Sequence, residues 1–184
     1  MTKFYTQTGD DGYTGYLGEG RLAKHAPRIE AIGALDEATA ALGMARAACQ
    51  LPLTREVILA VQHDLYSLMA EVAASPENAA RFRQITPERV AWLAEQTDAI
   101  SAQVPIPREF ILPGDSLPGA TLSLARTIVR RAERRVAQLI HAGELENTQI
   151  LRYLNRLASL CFILEIQENQ TAGQASPTLA KDRG

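Results

Sequence analysis

Apolar residues recur at helical spacing along five stretches of the chain, and segments rich in glycine, proline or polar residues separate these stretches. The first predicted helix covers residues 28–48, with Pro27 in a position that the first turn of a helix tolerates. The second follows Pro52, has Thr54 as a candidate N-cap, and ends near residues 75–76, where serine precedes proline. Both patterns indicate helices that pack one face against a core.

Three further helices are predicted downstream. Thr86 and Pro87 form a capping signature for the third helix. The fourth runs from about residue 118 to residue 141 and is stopped by Gly143, and the fifth runs from about residue 147 to residue 169. No strand pattern competes with these helices, so the predicted fold class is all-α, a five-helix bundle.

The charged side chains of the fourth helix gather on one flank. At about 100° per residue this flank collects four side chains, which are Arg126, Arg130, Glu133 and Arg134. Arg131 points away from them. Arginine forks in this arrangement suit a planar or polyanionic group. A solvated face with i,i+4 ion pairs is the alternative interpretation, and the pattern alone leaves both open.

The predicted fifth helix is apolar around almost its whole circumference, which indicates a position inside the bundle or at a subunit interface. Asn155 sits among leucines, and a buried amide without partners costs about 1–3 kcal/mol. This amide therefore either joins an internal hydrogen-bond network or contacts a ligand. Helix bundles bind ligands between facing helices or subunits, which would bring the charged flank and Asn155 toward one cleft.

Three segments outside the helices differ in composition. Residues 1–27 contain five glycines and form a predicted arm, which is not a Walker loop because no lysine follows the glycines as GK[ST]. Residues 105–118 form a proline-rich crossing loop, with at most a β-like stub in FILPGD, and this loop delivers Phe110 to a defined place. Residues 28–170 form the bundle, and the polar residues 171–184 form a predicted flexible tail.

Composition narrows the class of function. With 184 residues, 46% of them apolar, the chain suits one soluble domain, and a net charge of −2 disfavours nucleic-acid and membrane binding. Any basic cluster therefore meets a small anion such as a nucleotide. The absence of a signal sequence and of a long apolar run predicts a cytoplasmic protein. Cys49 and Cys161 are predicted to be reduced core thiols, and the three histidines lack metal-ligand spacing, so no protein-built metal site is expected.

Five separated motifs follow one another along the chain. They are TGDDGYTG at residues 8–15, GEGRLAKHAPRIEAIGALDE at 18–37, FILPGDS at 110–116, ARTIVRRAER at 125–134 and YLNRL at 153–157. In this order the motifs resemble the PduO-type ATP:corrinoid adenosyltransferases. The resemblance extends from about residue 4 to about residue 164, nearly the whole predicted fold.

The resemblance implies a homotrimer in which ATP and a cobalamin bind between adjacent subunits. The arm would wrap the ATP, and Mg²⁺ would be held mainly by triphosphate oxygens. Arg131, which points away from the charged flank, would act across the subunit boundary. The nucleotide-binding residues implied by the resemblance are Thr6, Gln7, Thr8, Gly9, Thr14, Gly15, Lys24, Arg130, Arg131, Ala132, Glu133, Arg134 and Asn155.

The resemblance also implies a reaction, the transfer of the 5′-deoxyadenosyl group of ATP to the cobalt of cob(I)alamin. Asp36 would pair with Arg126 across the subunit boundary, and Phe110 would occupy the space under the corrin ring, where it excludes the lower axial base. Together with Arg130 these are the implied catalytic residues. A corrinoid reductase and an adenosylcobalamin-dependent enzyme are the implied partners.

Three positions depart from the family pattern. Thr39 stands where relatives have an amide, Asp115 interrupts a GGS sequence, and Ala158–Ser159 replaces a Ser-Asp pair. Asp115 adds a negative charge close to the implied corrin site. These departures leave open a module that binds or delivers adenosylcobalamin without making it. A helical scaffold with a solvated arginine face is the other alternative that stays open.

Overall fold

The computed structural model describes residue 5, residues 7–174 and residues 176–181. Within these ranges the prediction of a mostly helical fold is confirmed, and the number of helices is one higher than predicted because α3 adds a single turn. A short 3-10 turn, Ala80–Phe82, follows α3. In chain order the elements are β1 (Tyr13–Gly15), β2 (Arg21–Ala23), α1 (Pro27–Ala48), α2 (Pro52–Ala73), α3 (Pro76–Ala79), α4 (Pro87–Ser101), α5 (Leu117–His141) and α6 (Gln149–Thr171).

The arm contains a small hairpin that the sequence did not predict. β1 and β2 pair antiparallel, with Tyr13 opposite Ala23. The hairpin side chains are exposed or half-buried, so no alternation of apolar and polar residues marks the strands. Arg21 stabilises the hairpin by donating to the two carboxylate oxygens of Asp11, at 2.7 and 2.8 Å, and to the Tyr13 carbonyl oxygen at 2.9 Å.

The arm is joined to the bundle at Leu17. Its amide donates to the Ala73 carbonyl oxygen at 2.7 Å, and its own carbonyl oxygen accepts from the Ser75 amide at 2.9 Å. At the next residue, a Cβ built on Gly18 would lie 2.6 Å from the Cβ of Ser75. The crossing of arm and helix end therefore leaves no room for a side chain at this position.

Proline stands in the first turn of most of the helices, where its missing N–H breaks no intrahelical bond. The predicted cap of α4 is confirmed, since the Thr86 hydroxyl accepts a hydrogen bond from the Arg89 amide at 3.3 Å. Gly143 follows the end of α5 with φ 73°, the left-handed conformation that glycine adopts most easily.

The prediction that Thr54 caps α2 is wrong. The helix already begins at Pro52, so Thr54 lies within its first turn and its side chain is completely buried. The buried carboxylate of Glu168 takes over the role of acceptor at this helix start. It accepts hydrogen bonds from the backbone amides of Gln50 and Leu51, at 2.8 and 3.2 Å.

The long helices pack in the order α2, α1, α5, α6 and α4. α6 therefore lies between α5 and α4, in agreement with the interior position expected from its apolar residues. Cys49 and Cys161 are free and buried, as predicted. The buried core residues of α5 and α6 include Leu122, Val129, Val136, Leu154, Leu157 and Leu160.

The N-terminus of α5 approaches α6 too closely for any side chain at Gly119. A Cβ built there would lie 2.0 Å from Oδ1 of the buried Asn169. This oxygen accepts a hydrogen bond from the Ser116 hydroxyl at 2.6 Å, and the Ser116 hydroxyl oxygen in turn accepts from the Gly119 amide at 3.0 Å. The contact therefore combines tight packing with the cap of α5.

Gly119→Ala is expected to lower the free energy of unfolding by about 1–3 kcal/mol, the usual cost of forcing extra atoms into a packed site. Gly33→Ala is the matched control, because Gly33 lies in α1 with no atom within 4 Å of an added Cβ. This control is expected to be neutral or stabilising by about 0.5–1 kcal/mol, since alanine is the better helix former. Urea denaturation of both variants measures the difference, and equal midpoints would contradict the assigned contact.

Candidate functional site

Three adjoining depressions follow the outer side of α5 and α6. We call the first the arginine groove; it is lined by Arg130, Glu133, Arg134, Ala137, Leu151, Arg152, Asn155 and Arg156. The second, the junction, shares Arg130 and Asn155 with the groove and adds Arg126 and Phe162. The third, the Phe110 cavity, shares Arg126 and Phe162 with the junction. These shared residues make the three depressions one continuous surface.

Glu133 organises the arginine groove. Its Oε2 atom lies 2.7 Å from Nη1 of Arg130, and its Oε1 accepts a hydrogen bond from Nδ2 of Asn155 at 2.9 Å. Only 9% of Glu133 is exposed, so this carboxylate is fixed by the two residues that it holds. Nη1 of the exposed Arg134 donates to the Arg130 carbonyl oxygen at 3.1 Å. The structure thus brings together four of the residues predicted to bind the nucleotide.

The expectation that Asn155 is buried among leucines is wrong, because its side chain is exposed on the groove side of α6. Arg152 and Arg156 lie beside it, and sequence reasoning missed both of them. Asn155 and Arg156 follow Arg152 by three and four residues, the spacing that places side chains on one face of a helix, and this is the signal that could have found them. The groove consequently contains four arginines and one glutamate among its lining residues, a strongly cationic surface.

Two other predicted nucleotide residues lie outside the groove. Arg131 forms an ion pair with Glu37 of α1, on the side of α5 that the helical spacing predicted. Ala132 is completely buried, and its methyl group packs in the core. Within one chain, neither side chain lines the cationic surface.

Arg126 connects the junction with the Phe110 cavity. It is half-buried, and its Nε atom is buried without a hydrogen-bond partner in the described part of the chain. Asp36 is exposed on α1 and forms no ion pair with the residues that the structure describes. Both groups are therefore available for the pairing across a subunit boundary that the resemblance implies, and that pairing stays a prediction.

Phe110 is the most exposed large apolar side chain of the described residues, with 85% of its surface accessible. It forms a wall of a cavity of about 300 Å³. Arg108, Glu109, Ile111, Pro113, Ser123, Phe162 and Glu165 also contribute. Phe110 is thus not a core residue, and a ring exposed at the mouth of a cavity is suited to contact an apolar ligand surface.

The tail holds the loop that carries Phe110. The Ala180 amide donates to the Phe110 carbonyl oxygen, and the Leu112 amide to the Thr178 carbonyl oxygen, both at 2.8 Å. The Asp115 carboxylate accepts from the Thr178 hydroxyl at 2.6 Å and from the Thr178 amide at 3.0 Å. The predicted β-like stub is a single antiparallel bridge between Ile111 and Leu179. The negative charge of Asp115 is therefore directed to the tail.

Glu165 is a further residue that sequence reasoning missed. It lies on α6 with 1% of its surface exposed, and it lines the Phe110 cavity. Burial raises the pKa of this carboxyl, whereas a hydrogen bond with Ser123 and the charge of Arg126 oppose the rise. Within the described ranges its Oε1 atom has no hydrogen-bond partner. The available signal was an acid that directly follows the apolar run of residues 161–164.

The described arm residues among the predicted nucleotide-binding set do not line the arginine groove of their own chain. Gln7 adopts φ 62°, and a Cβ on Gly9 would lie 3.1 Å from Nζ of Lys24. Arg21 donates a hydrogen bond to the Thr8 carbonyl oxygen. Thr6 lies outside the described residues. Two further members of the set, Thr14 and Gly15, line a separate depression at the base of the arm.

The described residues contain no group of three or more His, Cys, Asp or Glu side chains arranged to hold a metal ion. In the same part of the chain, every helix is too short or too polar to span a lipid bilayer.

Comparisons with known proteins identify relatives of this chain. A family model described as cobalamin adenosyltransferase matches residues 4–168. The corrinoid adenosyltransferase of Bacillus subtilis (strain 168) is 39% identical over 176 residues, which cover 93% of this chain and 89% of that protein. The corrinoid adenosyltransferase PduO of Citrobacter freundii is 38% identical over 171 residues, 92% of this chain and 51% of the relative, so the chain spans about half of that protein.

The fold is also similar to a solved structure. A variant PduO-type ATP:corrinoid adenosyltransferase from Lactobacillus reuteri, complexed with cobalamin and ATP, superimposes with a TM-score of 0.89 at 29% sequence identity. The match covers 98% of this chain and 100% of that chain.

Proposed function

The chain belongs to the cobalamin adenosyltransferase family, and we propose that it transfers the 5′-deoxyadenosyl group of ATP to the cobalt of a reduced corrinoid. The observation that carries this proposal is the continuous surface from the arginine groove through Arg126 to the Phe110 cavity. The triphosphate of ATP would bind in the groove, and the corrin ring would bind at the cavity. The 5′-carbon of ATP and the cobalt would then meet at the junction between them.

The arginine groove binds the triphosphate in this proposal. Arg130 presents a guanidinium that Glu133 holds in place, so little side-chain freedom is lost when phosphate oxygens bind. Arg134, Arg152 and Arg156 add positive charge around it. Magnesium would be coordinated mainly by triphosphate oxygens and water, in keeping with the few protein ligands that this ion commonly uses.

The reaction needs positioning and charge stabilisation. The electron pair of cob(I)alamin attacks the 5′-carbon of ATP, a cobalt–carbon bond forms, and the carbon–oxygen bond to triphosphate breaks. Negative charge grows on the leaving triphosphate, where the fixed guanidinium of Arg130 stabilises it. No proton has to be removed, which fits a surface without a nucleophile–base pair among its lining residues.

The Phe110 cavity receives the lower face of the corrin ring. An aromatic ring there excludes the lower axial base, and a cobalt ion without an axial donor accepts an electron more readily. Asp36 of a neighbouring subunit would pair with Arg126 and orient it. Because such a pair loses hydration on burial, its contribution is orientation rather than a large net stabilisation.

Each site requires two chains in this proposal, and a homotrimer closes the arrangement. The positions of Thr14 and Gly15 support a site shared between two chains, because both residues line a depression separate from the arginine groove of their own chain. The arm that completes a groove would therefore come from a neighbouring subunit. The arm residues Thr6, Gln7, Thr8, Gly9 and Lys24 would join them on the ATP. A cytoplasmic location, a corrinoid reductase as electron source and an adenosylcobalamin-dependent acceptor enzyme complete the proposal.

An anaerobic assay tests this function. The protein is mixed with cob(II)alamin, a strong reductant and saturating Mg-ATP, and adenosylcobalamin is followed by its visible spectrum. Formation of adenosylcobalamin and triphosphate in equal amounts is expected. Folded trimeric protein that makes no adenosylcobalamin would overturn the proposal, and tight adenosylcobalamin binding without ATP affinity would identify a delivery module instead.

A further inference from the structure

Two residues that line the Phe110 cavity, Glu165 and Arg126, each have a buried polar atom that the proposed reaction does not use. Oε1 of Glu165 can only accept a hydrogen bond when the carboxyl is ionised, and Nε of Arg126 can only donate one. Neither atom has a partner within the described part of the chain, although both residues line the same cavity. Leaving such a group unsatisfied costs about 1–3 kcal/mol, so the pair calls for an occupant with complementary chemistry.

The two residues do not satisfy each other. Glu165 feels the charge of Arg126, yet no ion pair within 4 Å joins them in the described residues. Ser123 also lines the cavity and lowers the pKa of the Glu165 carboxyl. Oε1 of Glu165 is left for a group that enters the cavity, and Nη1 and Nη2 of Arg126 stay available for Asp36 of a neighbouring subunit.

A primary carboxamide has the chemistry that complements both atoms. Its NH₂ group donates to the glutamate oxygen, and its carbonyl oxygen accepts from the arginine Nε. A carboxylate has no donor and would be repelled by Glu165, whereas an apolar group would leave both polar atoms unpaired. Phe110, Phe162 and Pro113 provide the apolar surroundings for the methylene groups of such a side chain.

Cobalamin carries primary amides of this kind. Its propionamide side chains project from the lower face of the corrin ring, the face that the proposed function directs toward Phe110. We propose that Glu165 and Arg126 form a subsite for one lower-face propionamide of the corrinoid, and that this subsite selects amidated corrinoids over those with a carboxylate at that position. The inference rests on the proposed function and adds a determinant of substrate specificity to it.

Cobalamin monocarboxylates test this inference, because each has one propionamide hydrolysed to the acid and all carry the same charge. Corrinoid binding is measured spectroscopically in the presence of Mg-ATP, without turnover. We expect one isomer to bind at least about tenfold more weakly than cobalamin, and the other two within about threefold of it, the pattern of a site that hydrogen-bonds one specific group. Equal binding of all three isomers would overturn the proposal.

Glu165→Gln sharpens the test, since glutamine keeps the shape of the side chain and donates to a carboxylate. This variant is expected to bring the weak isomer within about threefold of cobalamin. Glu146→Gln is the matched control, because the Glu146 side chain is 88% exposed and lies outside the cavity. The proposed subsite would be contradicted if Glu165→Gln bound the weak isomer and cobalamin with the same ratio of affinities as the wild type. If the wild-type protein adenosylates cobalamin while the isomer test fails, the subsite is wrong but the proposed function stands.

Discussion

Arg130→Ala is expected to lower kcat/KM for ATP by about 10²–10³-fold, the loss that follows removal of one preorganised group from a site of developing negative charge. The guanidinium lies 2.7 Å from Glu133 and is positioned before ATP arrives, so its charge acts on the leaving triphosphate without reorganisation. Arg130→Lys keeps the charge but loses the fork of donors, and about tenfold loss is expected for it. Steady-state kinetics and ATP titrations measure both variants.

Arg81→Ala serves as the surface control for this prediction. Arg81 is exposed in the 3-10 turn, and it lines none of the three depressions on α5 and α6. We expect its ATP affinity and its turnover to equal those of the wild type. Similar ATP affinities of the Arg130 and Arg81 variants would favour a helical scaffold with a solvated arginine face.

Phe110→Ala is expected to reduce kcat on the order of 10²-fold, comparable to the loss caused by misplacing a reacting group, while the Kd for ATP stays within about twofold. Alanine leaves the space below the corrin ring open, so the axial base or water reaches the cobalt of cob(II)alamin and makes its reduction harder. The spectrum of protein, Mg-ATP and cob(II)alamin should then lack the four-coordinate species that the wild type forms.

Leu112→Ala is a suitable control for that loss. Leu112 is a large exposed residue of the same loop, but it does not line the cavity. Its replacement is expected to preserve the four-coordinate species. If Phe110→Ala lost ATP affinity together with the four-coordinate cob(II)alamin, this would contradict the assignment of ATP and corrinoid to separate parts of the surface.

The helices could be predicted because local chemistry and packing agree. Pro27, Pro52 and Pro87 begin helices whose apolar periodicity then buries one face, and Gly143 ends α5 in the conformation that glycine favours. The hairpin escaped prediction because it is stabilised by hydrogen bonds rather than by apolar packing. The Arg21 side chain donates these hydrogen bonds to Thr8, Asp11 and Tyr13.

The candidate site was only partly predictable. Helical spacing alone gathers Arg130, Glu133 and Arg134, since these residues share one helix. The contributions of Arg152 and Glu165 depend on how α6 is rotated against α5, and that rotation is set by packing, which local patterns do not encode. Asn155 was misplaced for the same reason, because Leu154 and Leu157 are buried in the core whereas Asn155 lines the groove.

The anchored tail has a practical consequence for protein production. Four hydrogen bonds from Thr178, Ala180 and Leu112 connect it to the loop that carries Phe110. A truncation or a fusion junction placed within residues 176–181 would remove these bonds and release the loop. Recombinant protein for the proposed assays therefore has to keep this segment intact, so that the surface to be assayed is preserved.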